Sequence, residues 1–226
     1  MAFHNGALPI ITDRLIFCLD AADYHSYPRS GTTWTDLIGG VNVTLSGNCS
    51  FSELHGGCID FDGTNDFGTF THPALGTESF TIEIWVDPSD NYYNYITFLC
   101  TTRGSSGYSV GTDGGRDLIY YDQGPQGANR HLESNEASPA SGMHLHTFTR
   151  DSDNSGAMVG YVDAVQKDTG TSTINLTDTS GHIAQLNNGS EDMNGRIGCI
   201  RIYKGLAMTQ DQVTHNFNAQ RVRFGV

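Results

Sequence analysis

Charge is scarce in this 226-residue chain: 16% of residues are Asp, Glu, Lys or Arg, against about 25% in ordinary soluble domains. The shortage falls mainly on the basic side, where 12 Lys and Arg face 25 Asp and Glu for a formal net charge of −13. A field of that sign repels phosphate backbones and anionic headgroups, which argues against nucleic acid and membranes as partners. It leaves neutral partners such as sugars open. No apolar run approaches the ~18 residues of a membrane helix. The opening Met1-Ala2-Phe3-His4-Asn5-Gly6 lacks the basic stretch and apolar core of a secretory signal, so synthesis in the cytoplasm is expected. Cysteines are few and odd in number, with no C-x-x-C pair. Cys18, Cys58, Cys100 and Cys199 sit in or beside apolar runs and read as buried thiols acting as small hydrophobes.

What is abundant is Gly (27), Phe (11) and Tyr (10), distributed as short alternating segments between Gly/Asn/Asp/Ser turns. That is the pattern of an all-β chain. The expected strands are Leu15–Leu19, Val41–Leu45, Cys58–Phe61, Asp66–Phe70, Phe80–Asp87, Ile96–Thr101, Tyr108–Gly111, Leu118–Tyr121, His144–Arg150, Met158–Val162, Ile183–Gln185 and Gly195–Tyr203. In Phe80–Asp87, Phe80, Ile82, Ile84 and Val86 share one face, and Thr81, Glu83, Trp85 and Asp87 the other, as in a half-buried antiparallel strand. One short helix follows Thr209, a capping residue with Gln212 three positions on and Val213 and Phe217 as an apolar stripe. Glu133 to Ser141 is the most loop-like interior stretch. No linker or repeat divides the chain, so 1–226 is expected to be one domain, with a short N-terminal arm at 1–13 and a C-terminal tail at 219–226.

Several segments, in order, resemble the concanavalin A-like/laminin G-like superfamily. They are Leu19 to Leu37, the turn Ile59-Asp60-Phe61-Asp62-Gly63-Thr64-Asn65-Asp66-Phe67, the Trp-bearing strand Ser79 to Val86, the pair His144 to Asp163, and the closing strand Met193 to Leu206. The resemblance implies a two-sheet antiparallel jelly-roll sandwich with one short C-terminal helix. Two further stretches are similar to tailed-phage, including cyanophage, virion proteins. One is Tyr27-Pro28-Arg29-Ser30-Gly31-Thr32-Thr33-Trp34-Thr35-Asp36-Leu37. The other is Asn216-Phe217-Asn218-Ala219 leading to Arg223-Phe224-Gly225. This resemblance implies a non-enzymatic structural protein at the virion surface, a capsid decoration or a tail or fibre component. It would be a homo-oligomer touching other virion proteins through the arm or the Arg221–Phe224 tail, and it could bind host cell-surface polysaccharide. The alternatives are a lectin or adhesin outside any virion, and a laminarinase-like glycoside hydrolase. Two departures from the superfamily pattern stand out: Gly198-Cys199 replaces an acidic pair, and Ala164 a turn glycine.

The candidate sites follow from residue chemistry. Tyr92, Tyr93 and Tyr95 in Asp90-Asn91-Tyr92-Tyr93-Asn94-Tyr95, with Tyr120 and Tyr121 before Asp122, set rings beside amides and carboxylates, which suits stacking on sugars. Ordinary strand packing is an equally good account of them. Asp62, Asn65 and Asp66 crowd oxygen donors into one turn and are the candidate calcium ligands, against a plain Asx-rich turn. Asp151-Ser152-Asp153-Asn154-Ser155-Gly156 starts like a calcium loop but has Val162 where the bidentate Glu belongs, and reads as a hairpin turn. His144 and His146 share a strand face without a third ligand at fixed spacing. A retaining glycosidase needs carboxyls ~5–5.5 Å apart. Glu83 and Asp87, four residues apart on one strand, are separated by ~13 Å, and no catalytic residue is assigned.

Overall fold

Alternating apolar residues form strands wherever Gly, Asn and Asp do not interrupt them. The computed structural model describes residues 9–88, 95–102, 106–113, 117–124, 127–137 and 141–226. Its strands are β1 (Leu15–Asp20), β2 (Thr33–Thr35), β3 (Asn42–Ser46), β4 (Ser50–Ser52), β5 (Cys58–Asp62), β6 (Phe67–Thr71), β7 (Phe80–Asp87), β8 (Ile96–Cys100), β9 (Tyr108–Thr112) and β10 (Asp117–Gly124). They continue as β11 (Gly127–Ala137), β12 (His144–Asp151), β13 (Ala157–Val162), β14 (Val165–Thr171), β15 (Ser180–Ile183) and β16 (Asn194–Lys204), followed by helix α1 (Gln210–Phe224). Among the described residues they form two antiparallel eight-stranded sheets. One runs β14-β13-β12-β7-β16-β5-β4 with β1 also paired to β16, and the other β11-β10-β9-β8-β15-β6-β3-β2. This is the expected jelly-roll sandwich with its C-terminal helix.

Most expected strands coincide with observed ones. Ile183–Gln185 does not: β15 ends at Ile183 because Ala184 adopts a left-handed φ of 64°. The stretch beginning at Glu133 is not a loop as far as Ala137, since β11 extends that far and pairs with β10. As an edge strand, β11 shows little apolar alternation, and the same holds for β14. These two edges meet along one side of the sandwich, where the Glu133 amide donates to Asp168 Oδ2 at 2.6 Å. The approach needs Gly170, because a Cβ there would lie 1.9 Å from the His131 carbonyl oxygen.

The core between the sheets is built from the inner faces, including Phe80, Ile82, Ile84 and Val86 of β7, Phe98 of β8, Tyr120 of β10 and Phe148 of β12. The other face of β7 is not solvated, and this corrects the half-buried expectation: all eight residues of the strand are buried. The cover is α1. It begins with the expected capping box of Thr209 and Gln212 but runs to Phe224, where Gly225 caps it at φ 82°. Residues 219–224 are therefore part of a helix docked on the sheet, with Arg221 and Val222 on its exposed side. Phe224 stacks on Trp85 at 4.2 Å, the Trp85 indole N–H donates to Gln220 Oε1 at 2.9 Å, and Arg223 grips Asp20 with two 2.7 Å bonds. The arm also docks as far as it is described, with the Ile11 amide donating to Asn216 Oδ1 at 2.8 Å and Tyr203 to the Ile11 carbonyl at 3.0 Å.

Beneath the helix lies an ion pair. Arg201 Nε is 3.1 Å from Glu83 Oε2, with side chains 1% and 0% exposed, and Asn216 Nδ2 donates to both Glu83 oxygens at 3.1 Å. Burial pushes the Glu83 carboxyl upward, and Arg201, Asn216 and Tyr203 counter it. Removing one member of such a pair strands a buried charge, whereas replacing both is tolerated. Glu83→Gln should cost about 3–5 kcal/mol in urea unfolding, with most of it recovered in Glu83→Leu/Arg201→Met; equal losses in both would refute this account. Phe224→Ala should cost a similar ~3–5 kcal/mol by emptying the space over Trp85.

The inner faces bury two histidines. His146 lies edge-on to Phe98 at 5.1 Å, and His72 shares a 2.6 Å hydrogen bond with Tyr108. Burial lowers His146 to about 3, helped by His144, and burial lowers His72 to about 4. In the unfolded chain both take up a proton near 6.5. The unfolded state therefore binds more protons between about 4 and about 6.5. The stability these groups contribute is complete above that window and declines as pH falls through it. On lowering pH from 7 to 5, His146→Gln should lose about 2 kcal/mol less than the parent protein, read from urea midpoints; equal losses would contradict a neutral buried His146.

Candidate functional site

The period-two rule separates the two tyrosines of β10. Tyr120 points inward, is 0% exposed, and stacks on Tyr108 (6.0 Å) and Phe80 (6.1 Å). Burial drives its phenol well above the ordinary range. It is a core residue and not a sugar-stacking ring, which corrects the sequence expectation. Tyr121 points outward and is half-buried. Tyr95, just before β8, is 43% exposed. Tyr92 and Tyr93 lie outside the described residues.

Arg130, which sequence reasoning missed, brings Tyr95 and Tyr121 together. It lies directly opposite Tyr121 in the β10–β11 register. Its Nε donates to Tyr121 Oη at 2.7 Å, and its Nη2 donates to Tyr95 Oη at 3.0 Å. The guanidinium carbon is 5.0 Å from the Tyr121 ring centre and 5.7 Å from that of Tyr95. Nη1 donates to Glu133 and lies 3.5 Å from Asp113 Oδ2. The result is a fixed arrangement of one exposed ring, one partly covered ring and two carboxylates on a sheet face. Such a surface offers a stacking platform with hydroxyl acceptors beside it. The largely polar composition of β11 gave sequence reasoning no signal for Arg130.

The other expected sites come out differently. Asp66 is buried and accepts from the amides of Asn48 and Asp62, the latter at 3.0 Å, while Asp62 Oδ1 accepts from Thr64 (2.8 Å) and Asn65 (3.3 Å). Both Asp66 oxygens and Asp62 Oδ1 thus accept backbone amides of the turn, the arrangement of an Asx-rich turn. Among the described residues no group of three or more His, Cys, Asp or Glu could hold a metal. His144 faces Asp163 at 2.5 Å while His146 is enclosed in the core, so the two do not converge on one point. Asp151 opens a hairpin turn, its side chain accepting from the Asp153 amide at 3.0 Å. Glu83 lies under α1, out of reach of a glycan. A separate cleft of about 460 Å³ is lined by Thr77, Glu78, Ser152, Ser155, Gly156, Ser172 and Thr173, with no aromatic ring.

Residues 62–214 match the family model described as the concanavalin A-like lectin/glucanases superfamily. The chain belongs to that superfamily. A search of curated proteins finds no match. Among solved structures, this superfamily member is similar to the binding domain of botulinum neurotoxin DC in complex with SialylT. The TM-score is 0.71 at 16% identity, over 92% of this chain and 52% of that one. It is similar also to domain 4 of AbnA, an extracellular GH43 arabinanase from Geobacillus stearothermophilus, in complex with arabinotriose. There the TM-score is 0.71 at 17% identity, over 91% and 98% of the two chains. The receptor binding domain of botulinum neurotoxin type G gives 0.70 at 17%. The chain spans about half the length of the neurotoxin chains it matches. At these identities the likeness establishes the fold.

Arg130→Ala should leave Tyr95 and Tyr121 without their common partner at little cost in stability, because polar contacts of partly exposed side chains near a surface are worth about 1 kcal/mol or less. A urea midpoint close to that of the parent, with altered tyrosine fluorescence, is the expected result. Loss of folding would show that the cluster is structural.

Proposed function

We propose that this chain is a non-catalytic glycan-binding module carried on the surface of a tailed-phage particle, where it meets host cell-surface polysaccharide. The carrying observation is the Arg130-braced pair of Tyr95 and Tyr121 with Glu133 and Asp113 alongside, a ring and acceptor set suited to sugar rings. Support comes also from the glycans named with two similar structures, SialylT and arabinotriose. The burial of Glu83 beneath α1 favours binding over hydrolysis. The virion setting is supported by the resemblance of Tyr27–Leu37 and Asn216–Gly225 to phage proteins. Display as a homo-oligomer in many copies would convert weak sites into avid attachment.

An array of bacterial surface polysaccharides and neutral oligosaccharides, read with and without chelator, tests the binding. Binding should persist with chelator and fall at least tenfold in Tyr95→Ala; silence across the array would remove the reading. Labelled antibody on purified particles tests the setting, and particles devoid of the protein would rule it out. Release of reducing ends from any bound glycan would overturn the non-catalytic assignment.

A further inference from the structure

The cleft of about 460 Å³ lies where three connections meet: the one from β6 to β7, the hairpin from β12 to β13, and the one from β14 to β15. Its size falls among small-molecule sites, which span about 300–1,000 Å³. Arg150 holds two of the walls together. Its buried side chain rests over the Phe80 ring at 4.7 Å, Nη2 donates to the Gly76 and Glu78 carbonyls, and Nη1 donates to the Ile174 carbonyl, each at 2.8 Å. Beside it the Gly76 amide donates to the Leu176 carbonyl at 2.8 Å, and the Leu176 amide returns a bond at 3.0 Å. The hairpin is tied to both segments. The Ser152 amide donates to Ser79 Oγ at 2.9 Å, and the Ser172 amide to the Gly156 carbonyl at 2.8 Å. The second contact needs glycine, since a Cβ on Gly156 would lie 2.1 Å from the Ser172 carbonyl oxygen. The walls are thus set before any ligand arrives, so binding loses little ordering entropy.

Free hydrogen-bonding capacity sits on this frame. The hydroxyls of Thr77, Ser155 and Thr173, one from each connection, are exposed and make no hydrogen bond among the described residues. Glu78 meets Lys204 through Oε1 at 3.1 Å and leaves Oε2 open on the same terms. No aliphatic or aromatic side chain lines the cleft apart from the threonine methyls. A hydroxyl both donates and accepts, and a carboxylate oxygen accepts. The complementary ligand donates and accepts at several adjacent positions, as the vicinal hydroxyls of a sugar do. We propose that this cleft is a second carbohydrate site, taking a terminal sugar residue through the hydroxyls of Thr77, Ser155 and Thr173 and the carboxylate of Glu78. It shares no residue with the Tyr95–Tyr121–Arg130 surface and does not depend on sugar binding there.

The test titrates the full isotope-labelled chain with galactose, arabinose, arabinotriose and cellobiose, and follows backbone amide shifts by nuclear magnetic resonance. At least one of these sugars should move the signals of Thr77, Ser155, Gly156 and Thr173 to saturation. Thr77→Val/Thr173→Val keeps the shape of both side chains and deletes two exposed hydroxyls. It should weaken that binding by at least about tenfold, with a urea midpoint close to the parent's. Ser155→Gly suits the left-handed φ of 57° at that position and should weaken binding about threefold or more. Tyr95→Ala should leave the cleft signals and their affinity unchanged. If the double valine variant does not fold, Ser155→Gly and the parent titration decide. Cleft amides that no sugar moves, or affinity unchanged in the cleft variants, would overturn the second site and leave the Tyr95 surface to its own array result. Cleft shifts produced by calcium chloride or sodium sulfate but by no sugar would overturn it too, and would assign the cleft to an ion.

Discussion

The docking of α1 on the outer face of the β7–β16 sheet is the contact on which the rest of the molecule depends. That face carries Glu83, Trp85, Arg201 and Tyr203, a mixture that neither solvent nor an ordinary apolar helix would suit. The helix answers it residue by residue: Asn216 bridges the Glu83 carboxylate, Gln220 meets Trp85, and Phe224 stacks on the indole. A buried ion pair adds little net stability over apolar packing, but it punishes misplacement, because any shift leaves a charge unpaired in a medium of low dielectric. The helix is therefore held in one register. With it are held the N-terminal segment through Ile11 and the β1 end through the bond from Arg223 to Asp20.

This contact changes what the two phage-like stretches mean physically. Asn216, Ala219, Arg223, Phe224 and Gly225 are the docking contacts and the cap of α1. In the other stretch Tyr27 is buried and donates to the Gly31 carbonyl at 2.9 Å, and Trp34 is buried. Asp36 accepts from the amides of Cys18 and Gly39 at 2.7 Å each. Both stretches thus supply contacts that close the domain, while Pro28, Arg29, Ser30 and Leu37 of one and Arg221 and Val222 of the other stay exposed. Surface remains exposed along both stretches as well as on the sheet face of Tyr95 and Tyr121.

The fold was largely legible from sequence because inner-face alternation survives in the central strands, and β7 was readable from end to end. The edge strands were not: β2 and β4 span three residues each, and β11 and β14 are largely polar. The helix was foreseen to Asn218 and no further, since Asn216 and Gln220 occupy its buried face and break the apolar stripe that would have extended it to Phe224. At the site, Tyr95 and Tyr121 were found by residue type. Tyr120 was misplaced, although a strand that turns Leu118 inward must turn Tyr120 inward as well.

By itself the sequence determined the all-β class, the central strands, the capped start of the helix and the acidic character of the surface. These follow from alternation, turn chemistry and counting, which are local or additive properties. Tertiary structure decided which face of β7 is covered, that Asp62 and Asp66 hold a turn, and that Arg130 meets two tyrosines from different strands. Those outcomes depend on which strands become neighbours, and pairing between distant segments leaves no mark on the short-range pattern of either one.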